Sequence, residues 1–203
     1  MQDGSTTGKP PLDPKLEAVL ARLIRSLGPL YKMQAVKLPY VADVVALHFL
    51  GHRLTSGTFE TWQWGVVTQE VFEALRTQGS ILHVEPRVDA DGFMVELSGE
   101  PSGSLTDAEC AIVEAVAQAF GTLSPGLLER LTKNMNSEVR PEDWGRNLPA
   151  RVDEEAFSRL SDQWQKISAR LERVDLDDRK HWSPPVQDDP VKHFRQFLDA
   201  QAD

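Results

Sequence analysis

The chain has 203 residues, 40% of them hydrophobic, enough for one ordinary domain or a domain with an appended element, and too few for two independent cores. Its 22 basic and 31 acidic residues leave a formal charge of −9, so the molecule as a whole repels phosphate backbones and anionic lipid. The single cysteine, Cys110, excludes an internal disulfide and a multi-cysteine metal cluster, and no stretch approaches the roughly 18 to 20 unbroken apolar residues that span a bilayer. A soluble, cytoplasmic protein without a cofactor is expected.

Residues 1 to 12 are polar and rich in Gly, Ser, Thr and Pro, a composition expected to form a disordered arm. Asp13 is placed to cap a first helix, Pro14 suits its first turn, Leu16, Leu20, Leu23 and Leu27 recur at helical spacing, and Gly28 can take the left-handed stop. A second helix is expected from about Tyr31 to Leu50, ended by Gly51. It is too apolar for a single stripe and so should be central. Pro39 falls inside it, where the missing N–H and the ring cost about 3 kcal/mol. Either a kinked helix or a split pair of helices would lessen that cost.

Residues 57 to 65, "GTFETWQWG", read as a short strand with Trp62 and Trp64 on one face. "VVTQEVFEALRTQG" reads as a third helix with Val67, Val71, Phe72 and Leu75 inward. "ILHVEP", "DADG" and "FMVEL" form a hairpin signature, expected to join the strand at 58 to 64 in one small antiparallel sheet. "LTDAEC" is a capping box opening a helix that stops at Gly121, and Ser124 with Pro125 starts the next. Residues 136 to 152 read as a linker. Beyond them Phe157, Leu160, Trp164, Ile167, Leu171 and Val174 make a seam with coiled-coil period, within a C-terminal helical extension over 153 to 203. The fold class is therefore α+β, predominantly helical, with a small antiparallel sheet.

Candidate sites follow from residue chemistry. His48 and His52 are four apart, as in helical zinc pairs, but they straddle Gly51 and have no third ligand at a recognisable spacing; no metal site is expected. Cys110 faces apolar neighbours just inside a capped helix, which fits a structural thiol. The minimal motifs of serine hydrolases and of nucleotide binding do not occur, so catalytic residues are not assigned. The order helix, helix, strand, helix, hairpin is that of a winged helix. Yet the third helix carries Glu70 and Glu73, and the hairpin tip Asp89 and Asp91, where DNA would demand basic side chains. The aromatic pair and the C-terminal seam supply the expected partner-contact residues: Trp62, Trp64, Phe157, Leu160, Trp164, Ile167 and Leu171. The seam has two readings, docking on its own domain or pairing with a partner or a second copy.

"VKLPYVAD" followed by "GHRLTSGTFETWQWGVVTQEVFEAL" resembles the signature of the Panacea-domain, SocA-like antitoxin family, through Lys37, Tyr40, Ala42 and Asp43, then Gly51 and Leu54, then Trp62, Gly65, Val67 and Leu75. "LTDAECAIVEAVAQAFGTLSPGLLERLT" is similar to the family's closing pair of helices. The resemblance spans about residues 15 to 135, giving a domain over 13 to 135. Pro39, Val66 and Lys133 depart from the usual family residues. It implies a non-enzymatic protein that neutralises a toxin encoded nearby, by binding it directly or by presenting it to a protease. The acidic charge would speed encounter with a basic toxin. Two other classes stand beside this reading: a winged-helix-like DNA-binding regulator, and a small metal-dependent hydrolase built on Asp43, His48, His52 and Glu60.

Overall fold

The computed structural model describes residues 12–77, 81–86, 93–136, 139–143, 146–160 and 167. Helix α1 (Pro14–Leu27) starts where the Asp13 carboxylate accepts the Leu16 N–H at 3.0 Å, and ends at Gly28 with φ 77°. After the two-residue strand β1 (Leu30–Tyr31), α2 (Lys32–Leu50) runs as one helix with Pro39 inside it and stops at Gly51, which is left-handed at φ 75°. The proline thus leaves the Ala35 carbonyl without its helical N–H, and the helix continues because it is enclosed. Leu38, Val41, Val44 and Val45 have no exposed surface, so packing on nearly every side offsets the local cost of the ring.

Strands β2 (Phe59–Trp62) and β3 (Gly65–Thr68) form a tight antiparallel hairpin, with Trp62 opposite Gly65 and Phe59 opposite Thr68. This corrects the sequence reading at two places. The third helix does not begin at Val66: Gly65, Val66, Val67 and Thr68 are strand, and α3 (Gln69–Ala74) is a single short helix after them. Trp62 and Trp64 do not share a strand face, because Trp64 lies in the turn.

The expected second hairpin is present as β4 (Leu82–Pro86) and β5 (Phe93–Leu97), with its tip outside the described residues. It does not join β2. Instead β1 pairs with β5, giving a sheet of order β1-β5-β4, while a second sheet has the order β3-β2-β6. The two-residue strand ahead of α2 takes the edge of β5 that β4 leaves free.

Helix α4 (Asp107–Phe120) has the expected capping box: Thr106 Oγ1 accepts the Glu109 N–H, and Glu109 accepts the Thr106 N–H at 2.7 Å. Glu109 also binds Lys15 on α1, and Arg22 pairs with Glu114 along the same seam. Helix α5 (Pro125–Met135) is capped by Ser124. The stretch expected to be a linker contributes a strand to the fold. Strand β6 (Leu148–Pro149) adds to β2, and the Ala150 N–H reaches the Phe59 carbonyl at 2.9 Å. Helix α6 (Glu154–Ser158) then lays Ala156 and Phe157 into the core, with Leu160 and Ile167 buried beyond it.

Replacing Thr106 by alanine removes one half of a reciprocal cap; urea denaturation should show a loss of about 1 kcal/mol. A loss near zero would mean that the α1–α4 ion pairs fix this helix end without the cap.

Candidate functional site

Four polar side chains of α2 recur every third residue: Gln34, Lys37, Tyr40 and Asp43, all buried. Each step of three falls 60° short of a full turn, so the four fan around the helix and reach different segments. Gln34 accepts the Tyr31 N–H at 2.9 Å and donates to the Gly121 carbonyl at 2.7 Å, joining the start of α2 to the end of α4.

Lys37 has no exposed surface. Its ammonium donates to the Trp64 carbonyl at 2.5 Å, the Val66 carbonyl at 2.8 Å and Thr132 Oγ1 at 3.2 Å, so each of its three protons has an acceptor. Burial pulls its pKa down to about 7, with the Glu129 carboxylate opposing and the Lys133 cation assisting. Gly65, between the two carbonyls, has φ 85°, and a Cβ there would lie 2.4 Å from Thr132 Oγ1 and 3.1 Å from the lysine nitrogen. Only glycine fits this turn on both counts.

Tyr40 stands edge-on to Phe59, ring centroids 5.2 Å apart, and its hydroxyl donates to the Arg151 carbonyl at 2.9 Å. Burial raises its phenol pKa well above the ordinary value. Asp43 collects four donors from the loop after α2: Leu54 N–H (2.9 Å), Thr55 N–H (3.0 Å), the Thr55 hydroxyl (2.9 Å) and Arg53 Nε (2.8 Å). Burial pushes its carboxyl pKa up, against the Arg53 guanidinium and the Thr55 hydrogen bonds.

The residues of the hydrolase reading do not converge on one another. Asp43 is occupied by its own loop, and Glu60 accepts the Trp62 indole N–H at 2.9 Å. His48 Nδ1 lies 2.7 Å from Glu154, with its ring stacked 3.8 Å from that of Phe157, while His52 Nδ1 meets the Leu50 carbonyl. Among the described residues no three His, Cys, Asp or Glu side chains gather as a metal-binding group. Burial raises the thiol pKa of Cys110, which is half-buried. On α3, Glu70 accepts the Thr58 N–H at 2.9 Å, an acidic contact where a DNA reader would carry a base.

The expected partner-contact residues divide. Trp64 is 47% exposed, whereas Trp62 is half-buried against Phe72. Phe157, Leu160 and Ile167 are buried in the domain's own core and, as folded, offer no side chain to a partner; Trp164 and Leu171 lie outside the described residues. Arg53, Thr55 and Thr132 were not singled out from the sequence. A buried aspartate on an otherwise apolar helix demands donors, and the "HRLTSG" turn that follows was the signal for two of them.

Urea denaturation between pH 7 and 10 should show stability rising with pH in the wild type, because the unfolded lysine, with its ordinary value of 10.5, binds a proton that the folded one releases near 7. Lys37→Met should abolish that rise. Above pH 10 Tyr40 reverses the slope, since its folded phenol keeps its proton longer than the unfolded one. Gly65→Ala should cost about 2 kcal/mol or more by the same measurement, from backbone strain and overpacking together.

A family model described as "Antitoxin SocA-like, Panacea domain" matches residues 36–137, about half the chain, and takes in Lys37, Tyr40, Asp43, Gly51, Gly65 and Thr132. No curated protein and no solved structure matches the chain.

Proposed function

The chain belongs to the SocA-like, Panacea-domain antitoxin family, and from that premise we propose that it neutralises a partner toxin by binding it directly, with no bond made or broken by its own side chains. The ionisable groups of the family signature support this reading. Lys37, Tyr40 and Asp43 are each engaged inside the protein and present no open position to a substrate.

One observation carries the choice of contact surface. Trp64 places a large indole in water at a two-residue turn, and the carbonyls on either side of Gly65 are fastened to a buried ammonium. A rigid exposed aromatic loses little conformational freedom when it enters a partner's pocket, and such residues dominate interface energetics. The turn is thereby preorganised for contact.

Co-expression with the product of the neighbouring reading frame tests the proposal. We expect growth rescue and co-purification, with Trp64→Ala weakening association by about tenfold or more at unchanged thermal stability. Rescue accompanied by loss of the toxin protein would replace direct neutralisation with delivery to a protease. Full affinity in the alanine variant would remove Trp64 from the contact surface.

A further inference from the structure

In this acidic protein the positive side chains are mostly answered. Among the described lysines and arginines, Lys37 rests on carbonyls, and the remainder pair with carboxylates, as Lys15 does with Glu109 and Arg53 with Asp43, except at three positions: Lys32, Arg76 and Arg130. Two of the three come together. Lys32 Nζ lies 5.2 Å and the Arg76 guanidinium 5.9 Å from the centroid of the same Phe72 ring. The Trp62 ring meets Phe72 edge-on, centroids 4.7 Å apart.

Lys32 begins α2, Trp62 ends β2, and Phe72 with Arg76 are one turn apart on and just past α3, so three elements build this corner. Arg76 is exposed and the other three are half-buried. Among the described residues neither cation has a carboxylate within ion-pair distance; of the acids on β2 and α3, Glu60 takes the Trp62 indole N–H and Glu70 takes the Thr58 N–H. Two cations therefore share one ring, each attracted to the ring and repelled by the other, and among the described residues neither is neutralised by an ion pair. An incoming anion relieves that repulsion.

We propose that this corner is the docking point for an acidic, apolar-flanked peptide segment of the protein partner, its carboxylates bridging Lys32 and Arg76 and its apolar side chain lying against Phe72 and Trp62. Charge complementarity selects this occupant. A nucleic acid would also bring anions, but the chain's charge of −9 repels a long phosphate backbone, and two unpaired cations would not offset that. The inference rests on the antitoxin reading only in identifying that partner with the toxin.

Two arms test it. In the first, the full chain carrying Lys32→Glu with Arg76→Glu is compared with wild type for binding to the neighbouring frame's product. Affinity should fall by about tenfold or more at low salt, by less at high salt, while Arg130→Glu changes little. Wild type failing to bind that product would sink the antitoxin reading and leave the corner to the second arm. Wild type binding while the double variant binds equally would sink the corner and leave the reading intact.

In the second arm, the isotope-labelled chain is titrated with a synthetic peptide of glutamate and leucine, with its glutamine analogue, and with a DNA duplex. The acidic peptide should shift the signals of Lys32, Trp62, Phe72 and Arg76, and the double variant should lose those shifts. Equal shifts with the glutamine peptide, shifts that survive charge reversal, or stronger shifts at the same residues with DNA would each overturn the proposal.

Discussion

One buried side-chain nitrogen, that of Lys37, ties the central helix to the β2–β3 hairpin and to α5. A lysine without exposed surface is costly unless each of its protons finds an oxygen, and Lys37 finds them on the carbonyls of Trp64 and Val66 and on Thr132. Those acceptors belong to the β2–β3 hairpin and to α5, so a single side chain of the central helix sets where both of them lie. The need for glycine at position 65 and for a hydroxyl at position 132 follows from the same demand.

The central helix is read better as a spindle than as a core filler. Its apolar residues alone would allow neighbouring elements to slide, since burial is non-directional. The polar residues at every third position remove that freedom, with Tyr40 fixing the chain at Arg151 and Asp43 gathering the loop from Arg53 to Thr55. Pro39 stands in the middle of this set, and its tolerance has a physical source: a helix held by side chains on either side of the ring does not need every backbone bond of its own.

Much of this was legible in the sequence, and what was not has identifiable reasons. Helix ends announced themselves because caps are local: Asp13, Gly28, Gly51, Thr106 with Glu109, and Ser124 all act where they were expected. Val66 and Val67 were misread as helix because a short apolar run has no period of its own, and here pairing with β2 decided the outcome. The strands β1 and β6, two residues each, carry no local signal, since they exist only through partners distant in sequence. The seam from Phe157 to Val174 had the right spacing for two fates, and of its described residues Phe157, Leu160 and Ile167 turn inward, Phe157 stacked on His48. Among the signature residues, type and spacing identified the family, but which oxygen each would meet depended on contacts between segments up to 111 residues apart.

The hydroxyl of Tyr40 and the edge of β2 carry a consequence for where this protein ends as a folding unit. The family match stops at residue 137, yet the acceptor for that hydroxyl is at 151 and the strand that closes the sheet is at 148 and 149. A chain severed at the family boundary would take away the carbonyl that the Tyr40 hydroxyl meets and uncover the apolar surface that Phe157 and Leu160 bury. The stretch that the family model matches and the packed interior are therefore different lengths of polypeptide, and residues 148–160 belong to the second without belonging to the first.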